Sequence, residues 1–241
     1  MGSAAPPGPK ERLAAGLERV IEMRRALHAD PAVNERWLAV KHWQAGRLAR
    51  TYPDLLGSKR YRPACEFFLQ ELYGAKDFEA RDSEALRVVP KLARMLPERA
   101  VETMALAVEL DETSESLDAR LAQAIRLPID ADRYARAYRE TGTPAQRQLQ
   151  IETIDRIGRT LEKLARIPLL SGMLHMMRAP AEAAGFGHLH RFLQNGFDAF
   201  KGMGPAGEFL GTIRSRETAL MQALFAGRTA ELEQPELLTR G

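Results

Sequence analysis

The sequence is poor in the residues that build β-structure. Val and Ile together supply only 15 of its 241 residues, whereas Ala (36) and Leu (31) supply 67. Because β-branched residues favour strands while Ala and Leu favour helices, this ratio argues against an all-β fold and against a parallel α/β fold. A hydrophobic fraction of 45% is enough to build a sizeable core in a chain of this length. The composition therefore predicts an all-α protein.

Long apolar runs and a secretory signal are also missing. The longest apolar stretch without a charged residue runs from Ile167 to Met177, and a bilayer crossing needs about 20 residues. Residues 1–9 are rich in Gly, Ala and Pro but lack a basic region followed by an apolar one. We therefore expect a cytoplasmic protein without a membrane span, in which residues 1–9 form a disordered tail.

Cysteine and surplus charge are scarce. The single cysteine, Cys65, cannot form an internal disulfide or a paired-cysteine metal site, so we expect a buried thiol. The formal net charge is only +3, and the one dense basic run is the short segment 59–62. Proteins that bind nucleic acid usually concentrate their cations on one face, so we do not expect a nucleic-acid partner.

Proline marks most of the predicted helix boundaries, because it is tolerated in the first turn of a helix and disfavoured in the interior. The first helix carries a buried stripe that contains one cation: Leu13, Leu17, Val20, Ile21, Arg24 and Leu27.

We expect one all-α domain over residues 10–227, with eight or nine helices around an antiparallel bundle. The aromatic helix 63–73 and the apolar helix 168–178 are expected near its centre, and residues 228–241 are expected to fray.

The motifs of common enzymes are absent. The sequence has no His-Glu-x-x-His, no Glu-x-x-His pair, no Gly-x-Ser-x-Gly, no Walker loop and no Cys-x-x-Cys-His. The acids Glu109, Glu112 and Glu115 lie close together on one long helix, where salt bridges to the abundant arginines are the expected arrangement. We therefore predict no catalytic residue and no metal ligand set.

The C-terminal third is unusually rich in Met and Phe. Unbranched thioethers adapt to irregular apolar shapes, so this region favours a non-catalytic binding protein for a hydrophobic small molecule or a partner helix. The predicted binding residues are Met173, His175, Met176, Met177, Phe192, Phe197 and Phe200. The same region is also compatible with a solid core.

Two other function classes stay open. A helical haem- or metal-binding enzyme or sensor would use His175 or His42 as a ligand, with Tyr52 or Tyr61 nearby. A DNA-binding regulator would need a cationic recognition helix among the first two helices, where Trp37 and Trp43 are expected to belong to the core. The cofactor, the partner and the oligomeric state are not specified by the sequence.

One segment resembles a known family. Residues 60–74 spell RYRPACEFFLQELYG and are followed by Asp77-Phe78 and Arg81-Asp82. This pattern resembles the signature RY…FFLxELYGxxDFxxRD of a family of bacterial all-helical proteins of unknown function, and the resemblance extends over about residues 35–225. The resemblance implies an all-helical fold and assigns no site residue. On physical grounds, Arg81-Asp82 and Arg216-Glu217 are expected to form structural ion pairs.

Overall fold

The structure is a computed structural model that describes residues 6–72, 79–94, 96 and 98–239. Within these residues the protein is helical and has no strand, which confirms the all-α class. Its helices are α1 (Pro9–Ala29), α2 (Pro31–Thr51), α3 (Pro53–Gly57), α4 (Arg62–Phe67), α5 (Glu79–Leu92), α6 (Glu98–Ala124), α7 (Ala131–Thr141), α8 (Pro144–Ala165), α9 (Pro168–Met176), α10 (Arg178–Ala183), α11 (Gly187–Met203), α12 (Gly207–Phe225) and α13 (Ala230–Glu233).

The described ranges hold thirteen α-helices rather than the predicted eight or nine. The excess comes partly from α3, α4, α10 and α13, which are separate helices of six residues or fewer. A π-helical turn, Phe68–Leu72, follows α4, and a 3-10 turn, Pro235–Thr239, follows α13. Residues 73–78 of the family-like signature lie outside the described residues.

Proline and side-chain caps explain where the long helices begin. The first residues of α1, α2, α8 and α9 are all prolines. Asp30 accepts hydrogen bonds from the backbone N–H groups of Ala32 and Val33 at 2.9 and 3.2 Å, which satisfies two of the free donors at the start of α2. Thr143 and Gln146 form a reciprocal capping box at the start of α8.

The helix pair α1 and α6 runs parallel. Three arginines of α1 bind successive acids of α6 in the same chain order: Arg12 with Glu109, Arg19 with Glu112 and Arg24 with Glu115. The residue numbers therefore rise together along the two helices. The antiparallel arrangement predicted from the sequence does not hold for this pair, because short loops favour antiparallel neighbours whereas α1 and α6 are separated by four other helices.

Three apolar clusters form the core. The first joins α1, α2, α6, α7 and α12 around Trp37, Leu121 and Leu224. The second joins α4, α8, α11 and α12 around Phe200, Phe209 and Leu210, and the third joins α1, α5 and α6 around Leu13 and Val101. On α1, the buried cation Arg24 lies between Ile21 of the third cluster and Leu27 of the first.

Helix α9 lies at the surface, so the prediction that it occupies the centre is wrong. Leu169 and Met176 are 73% and 72% exposed. Helix α9 packs against α8, α10 and α11, which cover only one side of it. A helix that is apolar on most sides is therefore left with an uncovered face.

The segment after Gly227 differs from the predicted frayed tail. Leu232 of α13 and Leu238 of the final 3-10 turn are both buried in the first cluster. Two leucines spaced six residues apart are enough to hold a segment that is otherwise polar. None of the described helices combines the length and the apolar character of a membrane span.

Candidate functional site

An apolar surface lies along the outer side of α9. It consists of Leu169, Met173 and Met176, and we refer to it as the α9 surface; all three side chains are exposed. They follow the i, i+4, i+7 spacing that places side chains on one face of a helix, and they therefore form one stripe. Two further apolar side chains, Ile167 before α9 and Leu193 of α11, are also exposed.

Only part of the predicted Met/Phe site lies on this surface. Met173 and Met176 are exposed there, and Met177 is half-buried at the end of α9. Phe192 and Phe197 are half-buried on α11, whereas Phe200 is 2% exposed and packs in the core. The seven predicted residues therefore divide between the surface and the core and do not surround one space.

Polar contacts attach the inner side of α9 to α11. Lys201 donates a hydrogen bond to the hydroxyl of the buried Ser171 at 2.8 Å, and His190 Nε2 lies 2.8 Å from the carbonyl oxygen of Leu174. His175 is exposed, and its Nδ1 lies 2.8 Å from the carbonyl oxygen of Ser171. These contacts fix the orientation of α9 and leave the apolar stripe facing outward.

Positive charge predominates beside the α9 surface. Lys163 and Arg166 precede α9, Arg178 follows it, and Arg191 lies two residues before Leu193 on α11; all four cations are exposed. Lys201, which binds Ser171 of α9, is a fifth cation. Three acids partly balance the five: Glu162 pairs with Arg166, Glu182 pairs with Arg178 at 3.4 Å, and Asp198 lies 3.9 Å from His175. Five cations and three acids leave an excess of two positive charges.

The two histidines considered as haem or metal ligands do not share a site. His42 is exposed on α2 and His175 is exposed on α9, whereas an axial haem ligand needs an apolar pocket. Tyr52 and Tyr61 are buried and donate hydrogen bonds to Glu217 and Glu208. Among the described residues, no three His, Cys, Asp or Glu side chains are grouped as a metal site would require.

A network of buried charges crosses the middle of the protein. Arg24 donates to Asp82 at 2.7 Å, to Asp111 at 2.9 Å and to Glu115 at 3.1 Å. Lys41 continues the network, with its Nζ 3.1 Å from Glu115 and 2.8 Å from Asp118. The indole N–H of Trp37 also donates to Glu115. These contacts join α1, α2, α5 and α6.

The cations decide the ionisation of Glu115. Burial opposes its negative charge, but Lys41 and Arg24 outweigh that cost and hold its pKa below the usual value. Burial likewise disfavours the positive charge of Lys41, but Asp118 and Glu115 outweigh it and raise the pKa of Lys41. Both groups are therefore charged at neutral pH, and a buried acid with a raised pKa, which catalysis would need, is not found at Glu115.

Two ion pairs attach α12 to the end of α2 and to α3. Arg47 donates to Glu217 at 2.5 Å, and Arg216 donates to Asp54 at 2.7 Å. Arg216 and Glu217 therefore form structural ion pairs, as predicted. They do not pair with each other, however, because each binds a residue that is distant in the sequence. Arg81 does contact Asp82, at 3.4 Å, but the closer partner of Asp82 is Arg24.

A half-open cleft of about 320 Å³ lies over one end of the charge network. Its buried lining residues are Ile21, Arg24, Trp37 and Asp82, and its exposed ones are Arg25, His28, Ala29 and Ser83. This volume is at the lower end of the range for small-molecule sites. The two buried charges of the lining already bind each other, so the cleft offers mainly the exposed side chains at its edge.

The sequence contained one signal for the charge network. Arg24 occupies a position in the apolar stripe of α1, and Lys41 follows the buried Val40 on α2. A cation within an apolar stripe predicts a buried ion pair, because a buried charge needs a partner. The pattern does not tell which acid is that partner.

Comparison with known proteins identifies one family. A family model described as a domain of unknown function (DUF8198) matches residues 23–231. This match agrees with the resemblance to a family of unknown function. No curated protein and no solved structure matches the chain.

Proposed function

Because the chain belongs to the DUF8198 family, for which no activity is described, its function must be argued from its own surface; we propose that the α9 surface binds an amphipathic helix of a partner protein. The observation that carries this proposal is the exposed stripe of Leu169, Met173 and Met176 on one face of α9. The function is binding without catalysis, in keeping with the cytoplasmic location that the sequence indicates.

The stripe has the properties of a helix-docking surface. Contiguous exposed apolar side chains are uncommon on monomeric proteins, and they often mark contact sites. Amphipathic helices bind through anchors at i, i+3, i+4 and i+7, and the spacing of the α9 stripe matches such anchors. Its methionines supply flexible side chains that adapt to the shape of a partner.

A partner helix fits this surface better than a small molecule does. Small molecules bind in concave sites that cover most of their surface. Leu169 and Met176 instead project from the outer face of a surface helix, where more than two-thirds of each residue is exposed. A second helix can bury both side chains at once.

The charges beside the surface specify the partner further. The excess of cations among Lys163, Arg166, Arg178 and Arg191 favours acidic residues on the helix that binds. We therefore expect a partner helix with an apolar stripe flanked by Glu or Asp. The acids would increase the association rate and would make binding weaker at high salt.

A labelled peptide tests the proposal directly. The probe is a helical peptide of about 20 residues with Leu at i, i+3, i+4 and i+7 and Glu on both sides of that stripe. Fluorescence anisotropy measures its affinity for the full chain. We expect binding to the unmodified protein and a loss of at least about tenfold in the Leu169→Ser, Met176→Ser double variant, because central apolar anchors dominate such interfaces.

The control uses another exposed leucine. Leu149 on α8 is 61% exposed and lies outside the α9 surface, so Leu149→Ser should leave the affinity unchanged. A version of the peptide with Lys in place of Glu should bind more weakly. Equal binding to the double variant and to Leu149→Ser, or no binding at all, would contradict the proposal.

A further inference from the structure

Two of the three side chains of the α9 surface carry a sulfur atom that oxidants attack. Met173 and Met176 are 40% and 72% exposed, whereas the third side chain, that of Leu169, contains only carbon and hydrogen. A methionine thioether reacts with peroxides to give methionine sulfoxide, and the reaction requires access to the sulfur from solvent. The α9 surface therefore presents two oxidisable atoms on one face of a helix.

The other methionines of the described residues are less accessible. The described part of the chain contains seven of the nine methionines. Apart from the two on the α9 surface, all of them are buried or half-buried: Met23, Met104, Met177, Met203 and Met221. Exposure therefore predicts that a dissolved oxidant reacts first with Met176, next with Met173 and last with the buried methionines.

The oxidised side chain is compatible with the fold at this position. A sulfoxide oxygen needs hydrogen-bond donors, and water supplies them at Met176 because the side chain projects into solvent. The polar contacts that attach α9 to α11 use Ser171 and Leu174, so they do not depend on either thioether. At Met203, by contrast, the same oxygen would lie among the apolar side chains of the second cluster. Oxidation of the exposed pair therefore changes the α9 surface and leaves the core intact.

We infer that Met173 and Met176 form a reversible oxidation site whose product makes the α9 surface polar and weakens the binding of the partner helix; the effect on binding rests on the proposed function. The oxidant is hydrogen peroxide. Its O–O bond breaks, one oxygen bonds to the sulfur, and the other leaves as water with both protons, so the sulfur loses the two electrons that the peroxide gains. Methionine sulfoxide reductases reverse the change, since the oxygen leaves as water while two thiols become a disulfide.

Oxidation removes most of the apolar contact that the stripe offers. Met173 and Met176 are two of its three anchors, and only Leu169 stays apolar afterwards. A few central anchors dominate such interfaces, so we expect the affinity for the partner helix to fall at least about fivefold. The effect is reciprocal, because a helix bound over the stripe covers both sulfur atoms and slows their oxidation.

Peptide mapping by mass spectrometry tests the site without any partner. The full chain is treated with hydrogen peroxide for increasing times, and the sulfoxide fraction is measured at each methionine. We expect Met176 to react fastest and Met173 next, both at least about tenfold faster than Met203 in the folded protein, and we expect similar rates for all three in urea. Uniform rates in the folded protein, or oxidation of Met203 before Met176, would overturn the inference.

The consequence of oxidation is tested with the double variant Met173→Leu, Met176→Leu, which keeps apolar side chains in the stripe and lacks its two sulfur atoms. Each protein is compared with its own untreated form, so a difference in starting affinity does not enter. Retention on a phenyl column measures the apolar character of the surface, and fluorescence anisotropy measures the affinity for the helical peptide with Leu anchors and Glu flanks. We expect peroxide to shorten retention and to weaken peptide binding only in the unmodified protein, and the two sulfoxide reductases, one for each epimer, to restore both.

These measurements separate the oxidation site from the proposed function. A peptide that fails to bind the untreated protein contradicts the proposed function, and mapping and retention then decide the oxidation site alone. Equal responses of the two proteins to peroxide, or unchanged peptide binding after oxidation of both methionines, would overturn the inference. A loss of helical circular dichroism on oxidation would also overturn it, because the fold is expected to stay intact.

Discussion

Leu210 of α12 packs directly against Gly158 of α8. A Cβ placed on Gly158 would lie 2.4 Å from Cδ2 and 3.1 Å from Cδ1 of Leu210. Leu210 is 2% exposed in the second core cluster, so its methyl groups have little freedom to move away. The absence of a side chain at Gly158 is therefore what allows α8 and α12 to approach this closely.

Gly158→Ala should destabilise the protein although alanine is the better helix former. Overpacking of a closed core costs about 1–3 kcal/mol, which exceeds the gain of about 1 kcal/mol in helix propensity. Gly172→Ala on α9 is the control, because nothing lies within 4 Å of an added Cβ there, and it should be neutral or stabilising. Urea unfolding measures both changes. A Gly158→Ala variant as stable as Gly172→Ala would show that Leu210 can move.

Glu115→Gln should lower the free energy of unfolding by about 3 kcal/mol, because it leaves Arg24 and Lys41 short of negative charge in a buried site. Glu112→Gln is the matched control, one turn earlier on the same helix. Glu112 pairs with Arg19, which is half-exposed, so its removal should cost less than about 1 kcal/mol. Chemical denaturation of both variants checks the difference. Similar losses would show that burial does not strengthen the Glu115 contacts.

The free energy of unfolding should decrease as the pH is lowered in the acid range, in part because of Glu115. Its pKa in the folded state is depressed by Lys41 and Arg24, so the unfolded chain takes up a proton before the folded protein does. The contribution is complete above the unfolded value of about 4.3 and is lost as the pH falls below it. Unfolding free energies measured from pH 6 to 3 should decrease less steeply for Glu115→Gln. Parallel curves would contradict this assignment.

Cys65 should react slowly with iodoacetamide. Burial raises the pKa of its thiol to about 11, so at pH 8 the thiolate fraction is at least about a hundredfold below that of a free cysteine with a pKa of about 8.5. Mass spectrometry of the alkylated protein over time measures the rate, with free cysteine as the reference. Urea should restore rapid labelling. Fast labelling of the folded protein would contradict the buried position of this thiol.

Leu232→Ala should destabilise the whole protein by about 2–4 kcal/mol, since Leu232 is 2% exposed and belongs to the first core cluster. Leu237→Ala, at a half-buried position nearby, should cost clearly less. Thermal unfolding of the two variants tests whether the C-terminal segment is part of the cooperative fold. Equal melting temperatures for Leu232→Ala and the unmodified protein would support the frayed tail that the sequence predicted.

The helices were largely predictable because their boundary signals are local. Helix α7, Ala131–Thr141, is an example. Asp130 caps α7 by accepting a hydrogen bond from the backbone N–H of Arg133, and Gly142 follows the last residue of the helix. Such signals depend on a few neighbouring residues, and the sequence contains them in full.

The position of α9 was not predictable from its composition. A helix that is apolar on most sides satisfies the pattern of a buried helix and the pattern of a docking surface equally well. The difference depends on how the other helices pack around it, and here they leave Leu169 and Met176 exposed. Met173 and Met176 are therefore proposed to bind a partner at an exposed surface.

The sequence pattern also could not predict which acids pair with the buried cations. Arg24 and Lys41 are recognisable as cations among apolar neighbours, but Glu115 lies 91 and 74 residues away from them. Its neighbours Glu109 and Glu112 have the same local pattern and bind exposed or half-buried arginines instead. Only the packing of α1 and α2 against α6 distinguishes the three acids.

The parallel contact between α1 and α6 has a consequence during synthesis. Helix α1 leaves the ribosome about 90 residues before the part of α6 that covers it, because Arg24 and Glu115 are separated by 91 positions. At a translation rate of about 5–20 residues per second, α6 is therefore synthesised about 5–20 s after α1. During this interval Leu13 and Leu17 lack their contacts with α6, and α5, which is synthesised earlier, is the first element of their cluster to reach them.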